Sequence, residues 1–202
     1  MTSLHDTLPG REQQRADIAQ EAARLLAEAG IRDWAFAKQK AVSGLGLRRP
    51  QMPSNLEVAE ALRAYLELFA GEETAAYLQE LRALARRLMP SLSVFDPRVV
   101  GAAVSGLATQ RSPLELHLFS DPAEQVDIFL ADRGWPYEED EARLRHPDGR
   151  ELILPMCCLG DGRGPEVEIT IFSQQDRRWS PASIIDGRPM TRWSLEELQA
   201  AS

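Results

Sequence analysis

The sequence predicts an α+β (or α/β) protein, with helices first and a mixed sheet behind them. Three observations predict it. Before Pro90, apolar residues recur with the helical period. After Pro90 the period changes. In residues 114–120 and 166–172, apolar and polar side chains alternate between two strand faces. The expected division is a helical region over residues 1–90 and a sheet-containing region over residues 91–202.

The elements follow in order. Residues 1–10 read as frayed. From Arg11 to Ala29 a helical stripe runs through Ile18, Ala22, Leu25, Leu26 and Ala29, with Gly30 as C-cap. A second helix is expected from about Asp33 to Val42. The glycines and prolines of residues 44–53 mark a loop. Ser54-Asn55-Leu56-Glu57 is a capping box, in which hydroxyl and carboxylate each cover an orphan N–H. The helix it opens is expected to carry Leu56, Ala59, Leu62, Leu66 and Phe69 on one side and to end at Gly71. A fourth helix, Glu72 to about Met89, turns Leu78, Leu81, Leu84 and Leu88 inward, and Pro90 stops it. Short connections favour a small antiparallel bundle.

Strand signals then fall at about 97–101 and 114–120. Asp121-Pro122-Ala123-Glu124 carries the signature of a helix start, with Asp as cap and Pro in the first turn. Glu138–Glu141 reads as a solvated charge run. Strands are expected at 142–145 and 151–157 around a Pro147-Asp148-Gly149 turn, and Gly160–Gly164 as a flexible loop. Val167, Ile169 and Ile171 share one face of the next strand, and Glu166, Glu168 and Thr170 the other. The tail from Arg177 to Arg192 is irregular, and Ser194-Leu195-Glu196-Glu197 opens a last short helix.

Composition narrows the function classes. The chain has 202 residues, 44% of them hydrophobic and 27% charged, which is enough for a core and a solvated surface. It holds no apolar run of about 18 residues, so no membrane span is expected. No basic segment leads into an apolar one at the start, and the adjacent Cys157 and Cys158 read as reduced, so a cytoplasmic protein is expected. Residues 1–90 carry 12 acidic and 12 basic side chains, whereas residues 91–202 carry 19 acidic and 11 basic. An acidic second half disfavours sequence-independent binding to phosphate backbones there. The one locally basic stretch is residues 32–49, with Arg32, Lys38, Lys40, Arg48 and Arg49. It reads either as a patch for RNA or a nucleotide, or as a solvated helix face beside a loop. No phosphate loop, H-E-x-x-H or G-x-S-x-G motif is present.

The most informative stretch is residues 98–120. An apolar run reaches Gly101, a short segment ends at Gly106, a polar loop follows, and a second strand begins near Pro113. On that strand Leu114, Leu116 and Leu118 share one face, and Pro113, Glu115, His117 and Phe119 the other. This layout resembles the signature of the nucleotidyltransferase superfamily of the DNA polymerase beta type. There a strand runs into Gly-Ser, a helical turn ends at Gly, and a second strand carries Asp-x-Asp. Gly101 stands at the family's glycine, Ala102 at its serine and Gly106 at the close of the turn. Ser112 precedes the carboxylate pair. Pro113 stands at the first metal-binding aspartate and Glu115 at the second. Val167-Glu168-Ile169-Thr170 resembles the third-carboxylate strand. The whole chain is also similar to a group of uncharacterised bacterial proteins of like length, which adds a fold but no activity.

The resemblance implies a nucleotidyltransferase-like core. Glu115 and Glu168 would be its catalytic carboxylates and magnesium ligands; His117, on the strand face of Glu115, reads either as a replacement ligand, as does Asp121, or as a histidine satisfied by hydrogen bonds at the sheet surface. Gly101, Ala102, Gly106 and Ser112 would contact the nucleotide, and Arg188 and Arg192 would reach its phosphates. Carboxylates serve this chemistry by holding magnesium ions, which clamp the attacking and leaving oxygens. Proline offers no ligand atom, so one of three carboxylates is lost and the metal site is expected to be degraded. The first expectation is therefore a non-catalytic nucleotide- or RNA-binding or regulatory module. The alternatives are a working magnesium-dependent transferase using Glu115 and Glu168, and an interaction protein whose helices dock a protein partner.

Overall fold

The structure is a computed structural model and describes residues 8–69, 71–160, 162 and 164–201. It divides into two compact units, Met1–Thr74 and Ala75–Ser202. No described helix is long and apolar enough to cross a membrane.

In the first unit α1 (Leu8–Glu28) packs against α2 (Trp34–Gly44) and α3 (Asn55–Phe69). Helix α1 starts inside the stretch expected to be frayed, and residues 1–7 lie outside the described ones. Its expected stripe is buried at Ile18, Ala22, Leu25 and Leu26, while Ala29 lies beyond the helix end and is exposed. Asp33 caps α2, its carboxylate accepting from the N–H groups of Ala35 and Phe36. The capping box of α3 forms as the spacing predicts: Ser54 N–H donates to Glu57 Oε2 at 2.8 Å, and Glu57 N–H to Ser54 Oγ at 3.2 Å. The buried face of α3 is Val58, Ala59, Leu62 and Leu66, whereas Leu56 is 47% and Phe69 72% exposed. Leu56 lies two residues before Val58, about 200° around the axis at 100° per residue. Phe69, in the last turn, lies 4.8 Å from the Tyr65 ring.

Gly71 does not close α3. It is the first residue of α4 (Gly71–Leu88), whose Leu81 and Ala85 are buried in the core of the second unit. Among the described residues the first strand begins at Arg98. The second unit is built on β1 (Arg98–Val100), α5 (Ala102–Ser105), β2 (Leu114–Phe119), α6 (Glu124–Asp132), β3 (Glu138–Arg145), β4 (Glu151–Leu159), β5 (Val167–Phe172) and α7 (Leu195–Ala200). The five strands form one mixed sheet in the order β1-β2-β5-β4-β3. Only β2 and β5 pair in parallel; the other neighbours are antiparallel.

Glu138–Glu141 is exposed, as a solvated charge run should be, and it also forms the first half of β3. An edge strand needs no apolar alternation, and its charges discourage pairing with another chain. Asp121 does not cap α6. Its Oδ2 accepts from Gln174 N–H at 2.9 Å, and Ala123 takes the cap position without a side-chain bond. The last short helix forms as expected, as α7, and its Ser194 and Glu197 make a capping box. Of the loop expected at Gly160–Gly164, residues 161 and 163 lie outside the described ones.

One face of the sheet carries Val99, Leu116, Leu118, Val167, Ile169 and Ile171, buried with Val126 and Leu130 of α6 and Leu198 of α7. Each such side chain contributes about 1.5–3 kcal/mol by leaving water. Alternation sends Glu115, His117 and Phe119 of β2, and Glu168, Thr170 and Phe172 of β5, to the opposite face. That face holds the candidate residues.

Candidate functional site

The crossing from β1 to β2 turns on Gly101 (φ 66°, ψ −137°) and on Gly106 (φ 76°), which bound the four residues of α5. A β-carbon on Gly101 would stand 1.4 Å from Oε2 of Glu115. The Glu115 carboxylate therefore occupies the space that a side chain at position 101 would need. There Oε2 accepts from Ala102 N–H at 3.3 Å. Glycine meets both demands at once, the positive φ and the close approach.

Glu115 and Glu168 stand side by side in the parallel ladder of β2 and β5, and both are half-buried. Pro113 is buried at the entry to β2. Ser112 serves its own turn: its Oγ accepts from Thr109 N–H at 2.9 Å, and its carbonyl accepts from Tyr77 Oη at 2.9 Å. Among the described residues, no group of three or more His, Cys, Asp and Glu could hold a metal ion. Pro113 has no donor and the Glu115 carboxylate turns onto backbone. This donor set does not fit a two-magnesium centre.

His117 is 2% exposed, and its ring lies 4.5 Å from that of Phe172. Its Nδ1 accepts from Arg192 Nε–H at 3.0 Å. Burial, with the Arg192 charge beside it, holds the imidazole pKa well below the ordinary value. The ring is thus neutral, with its proton on Nε2.

Arg192 arrives through a short bridge in which Trp193 exchanges both backbone hydrogen bonds with Val99. Its Nη1 donates to the carbonyls of Trp179 (2.5 Å) and Asp176 (3.3 Å). Its guanidinium lies 4.6 Å from the Phe172 ring centre and 5.0 Å from that of Phe119. Its Nη2 is buried without a hydrogen-bond partner. Burial lowers its pKa to about 10, opposed by Asp176 and helped by Arg98, so it stays charged at neutral pH.

Arg192 lines a pocket of about 380 Å³ with Asp96, Arg98, Phe119, Arg177, Arg178, Trp179 and Ser180. Arg98 pairs with Asp96 at 2.9 Å and Arg177 with the same carboxylate at 3.5 Å. Glu115, Glu168 and Arg188 are not among its lining residues. Arg188 instead points along its own turn, 86% exposed, with Asp186 3.9 Å away. Of the sequence candidates only Arg192 belongs to this pocket. Arg98, Arg177, Arg178 and Trp179 were missed. The available signal was the Arg177-Arg178-Trp179 run, which begins five residues past the end of the last strand. In residues 32–49, Lys38 Nζ donates to Asn55 Oδ1 (2.8 Å) and Pro53 O (3.2 Å), so it holds the helical unit together.

No family model matches the chain, and no curated protein matches its sequence. Among solved structures, a cytoplasmic RNA terminal U-transferase is similar over 50% of this chain and 28% of its own, at 23% identity and a TM-score of 0.26. The Cid1 poly(U) polymerase gives the same identity and TM-score over 50% of this chain and 30% of its own. A second Cid1 structure, described for its RNA terminal uridylyl transferase activity, gives 22% identity and a TM-score of 0.25 over 52% and 31%. The chain thus spans about a third or less of the length of these proteins. At these values the likeness carries no conclusion about this chain.

Proposed function

We propose that the protein is a nucleotidyltransferase-fold module without transferase activity, which binds a nucleotide or RNA in a regulatory role. One observation carries the loss of transfer in this reading: the Glu115 carboxylate lies against Gly101 and accepts from Ala102 N–H. The family frame reserves those backbone positions for the nucleotide and that carboxylate for a metal. Here the protein's own side chain closes one on the other. Pro113, which lacks an oxygen ligand, supports the same reading.

A binding screen tests it. The 202-residue protein is melted with each nucleoside triphosphate and with a short RNA, in EDTA and in Mg²⁺. A ligand that binds only the folded state raises Tm by linkage. The expected result is a rise in Tm of similar size in both buffers. A rise seen only with Mg²⁺, and lost in Glu115→Ala, would favour a working metal site.

A further inference from the structure

We propose that the arginine-lined pocket at the C-terminal ends of β2 and β5 binds a phosphate-bearing ring compound of the nucleoside monophosphate class. Its phosphate would sit among Arg98, Arg178 and Arg192, and its ring against Trp179. This site lies about 13 Å along β2 from Glu115, at roughly 3.3 Å per residue. It rests on the binding-module reading for the class of ligand only.

Charge is the first ground. Four guanidinium groups line the pocket against one carboxylate, Asp96, and that carboxylate is shared between Arg98 and Arg177. The second ground is Arg192. Its hydrogen bonds go to two carbonyls and a neutral imidazole, and its Nη2 has none. The nearby Asp176 carboxylate is engaged elsewhere, accepting from Trp179 Nε1 at 3.0 Å and Ser173 Oγ at 2.9 Å. Arg192 is half-buried, its nearest carboxylate, Asp176, makes its bonds elsewhere, and the two aromatic faces offset only part of the cost of desolvating its charge. An anion in the pocket would supply what is missing. Arginine forks match phosphate geometry, and a dianion answers the excess charge better than a carboxylate does.

Size and surface are the third ground. A volume of about 380 Å³ is at the small end for ligand sites and suits a single mononucleotide, with one base, one ribose and one phosphate. Phe119 and Trp179 give the lining its apolar part. Trp179 is held in place by the Asp176 bond and by ring contacts with His146 (4.4 Å) and Phe172 (6.1 Å).

The test is calorimetric titration of the full chain, in EDTA, with adenosine and uridine 5′-monophosphate and with the two unphosphorylated nucleosides. Arg178→Ala and Arg98→Gln are compared with wild type, and Arg143→Ala, on the β3 edge, serves as control. Arg192 is left alone because it ties the tail to the sheet. Melting curves confirm that each variant is folded. The monophosphates should bind wild type and Arg143→Ala alike, the nucleosides should not bind, and each pocket variant should lose about tenfold in affinity. Absence of monophosphate binding, or equal affinity in the pocket variants, overturns the proposal. If triphosphates or RNA bind regardless of Arg98 and Arg178, the pocket fails while the binding-module reading stands. If the protein proves to transfer nucleotides while monophosphate binding still needs these arginines, that reading fails and the pocket stands.

Discussion

Arg192 donates Nε–H to Nδ1 of His117 at 3.0 Å, on the sheet face opposite the hydrophobic core. The bond joins the irregular tail to β2, and it is available only while His117 is neutral. Folding lowers the His117 pKa, so the unfolded chain binds this proton more readily than the folded one. The stability the pair provides is therefore complete above the unfolded pKa of about 6.5 and declines as pH falls below it. Between that value and the depressed folded one, the slope approaches about 1.4 kcal/mol per pH unit. Urea unfolding at pH 7.5 and 5.5 checks this. His117→Gln, which keeps an acceptor but cannot titrate, should lose less stability than wild type on acidification. Equal losses would show that His117 does not titrate on unfolding.

Gly101→Ala should destabilise the fold for two separable reasons. The new methyl would overlap the Glu115 carboxylate, and φ 66° with ψ −137° strains any L side chain. Glu115→Ala in the same chain removes the overlap and leaves the strain, about 1–3 kcal/mol. The double variant should thus be more stable than Gly101→Ala and less stable than Glu115→Ala, read from urea midpoints. Full recovery in the double variant would mean that strain plays no part.

Pro113→Asp restores the residue type that the family frame expects, but in a buried place. Burying a polar group without a prepared partner costs about 1–3 kcal/mol. The variant should melt lower than wild type and gain no Mg²⁺-dependent rise in Tm, because Glu115 remains turned onto Ala102. A rise that titrates with Mg²⁺ would show that the three positions can still gather around a metal.

Ser54→Ala removes half of the α3 capping box and should cost about 1 kcal/mol. Glu57→Gln, which keeps a side-chain acceptor, should cost less. Thermal melts of the two variants give the comparison, and equal costs would place the contribution in the Glu57 charge and its 2.7 Å pair with Arg15.

What was legible in the sequence was local or periodic. The Ser54–Glu57 capping box spans four residues and forms, and the helix start read at Ser194–Glu197 is also where α7 begins. Alternation in β2 and β5 separates Leu116 and Ile169 from Glu115 and Glu168, which the ladder then sets side by side. The illegible parts depend on partners far along the chain. Asp121 looks like a helix cap, yet its carboxylate meets Gln174, 53 residues away. The arginine pocket gathers side chains from before β1, after β5 and from the tail. Its charge disappears in a segment that is acidic overall. The family frame pointed to Glu115 as a ligand. No rule of spacing could say that its carboxylate turns onto Gly101, since a χ rotation decides that.

The central claim is that this frame no longer transfers nucleotides. The most direct measurement incubates wild-type protein with a labelled RNA primer and each nucleoside triphosphate, in Mg²⁺ and in Mn²⁺, and resolves the primer at single-nucleotide length. The account predicts that the primer is unchanged in every reaction and indistinguishable from one containing Glu115→Ala. Primer extension by the wild type that disappears in both Glu115→Ala and Glu168→Ala would contradict it.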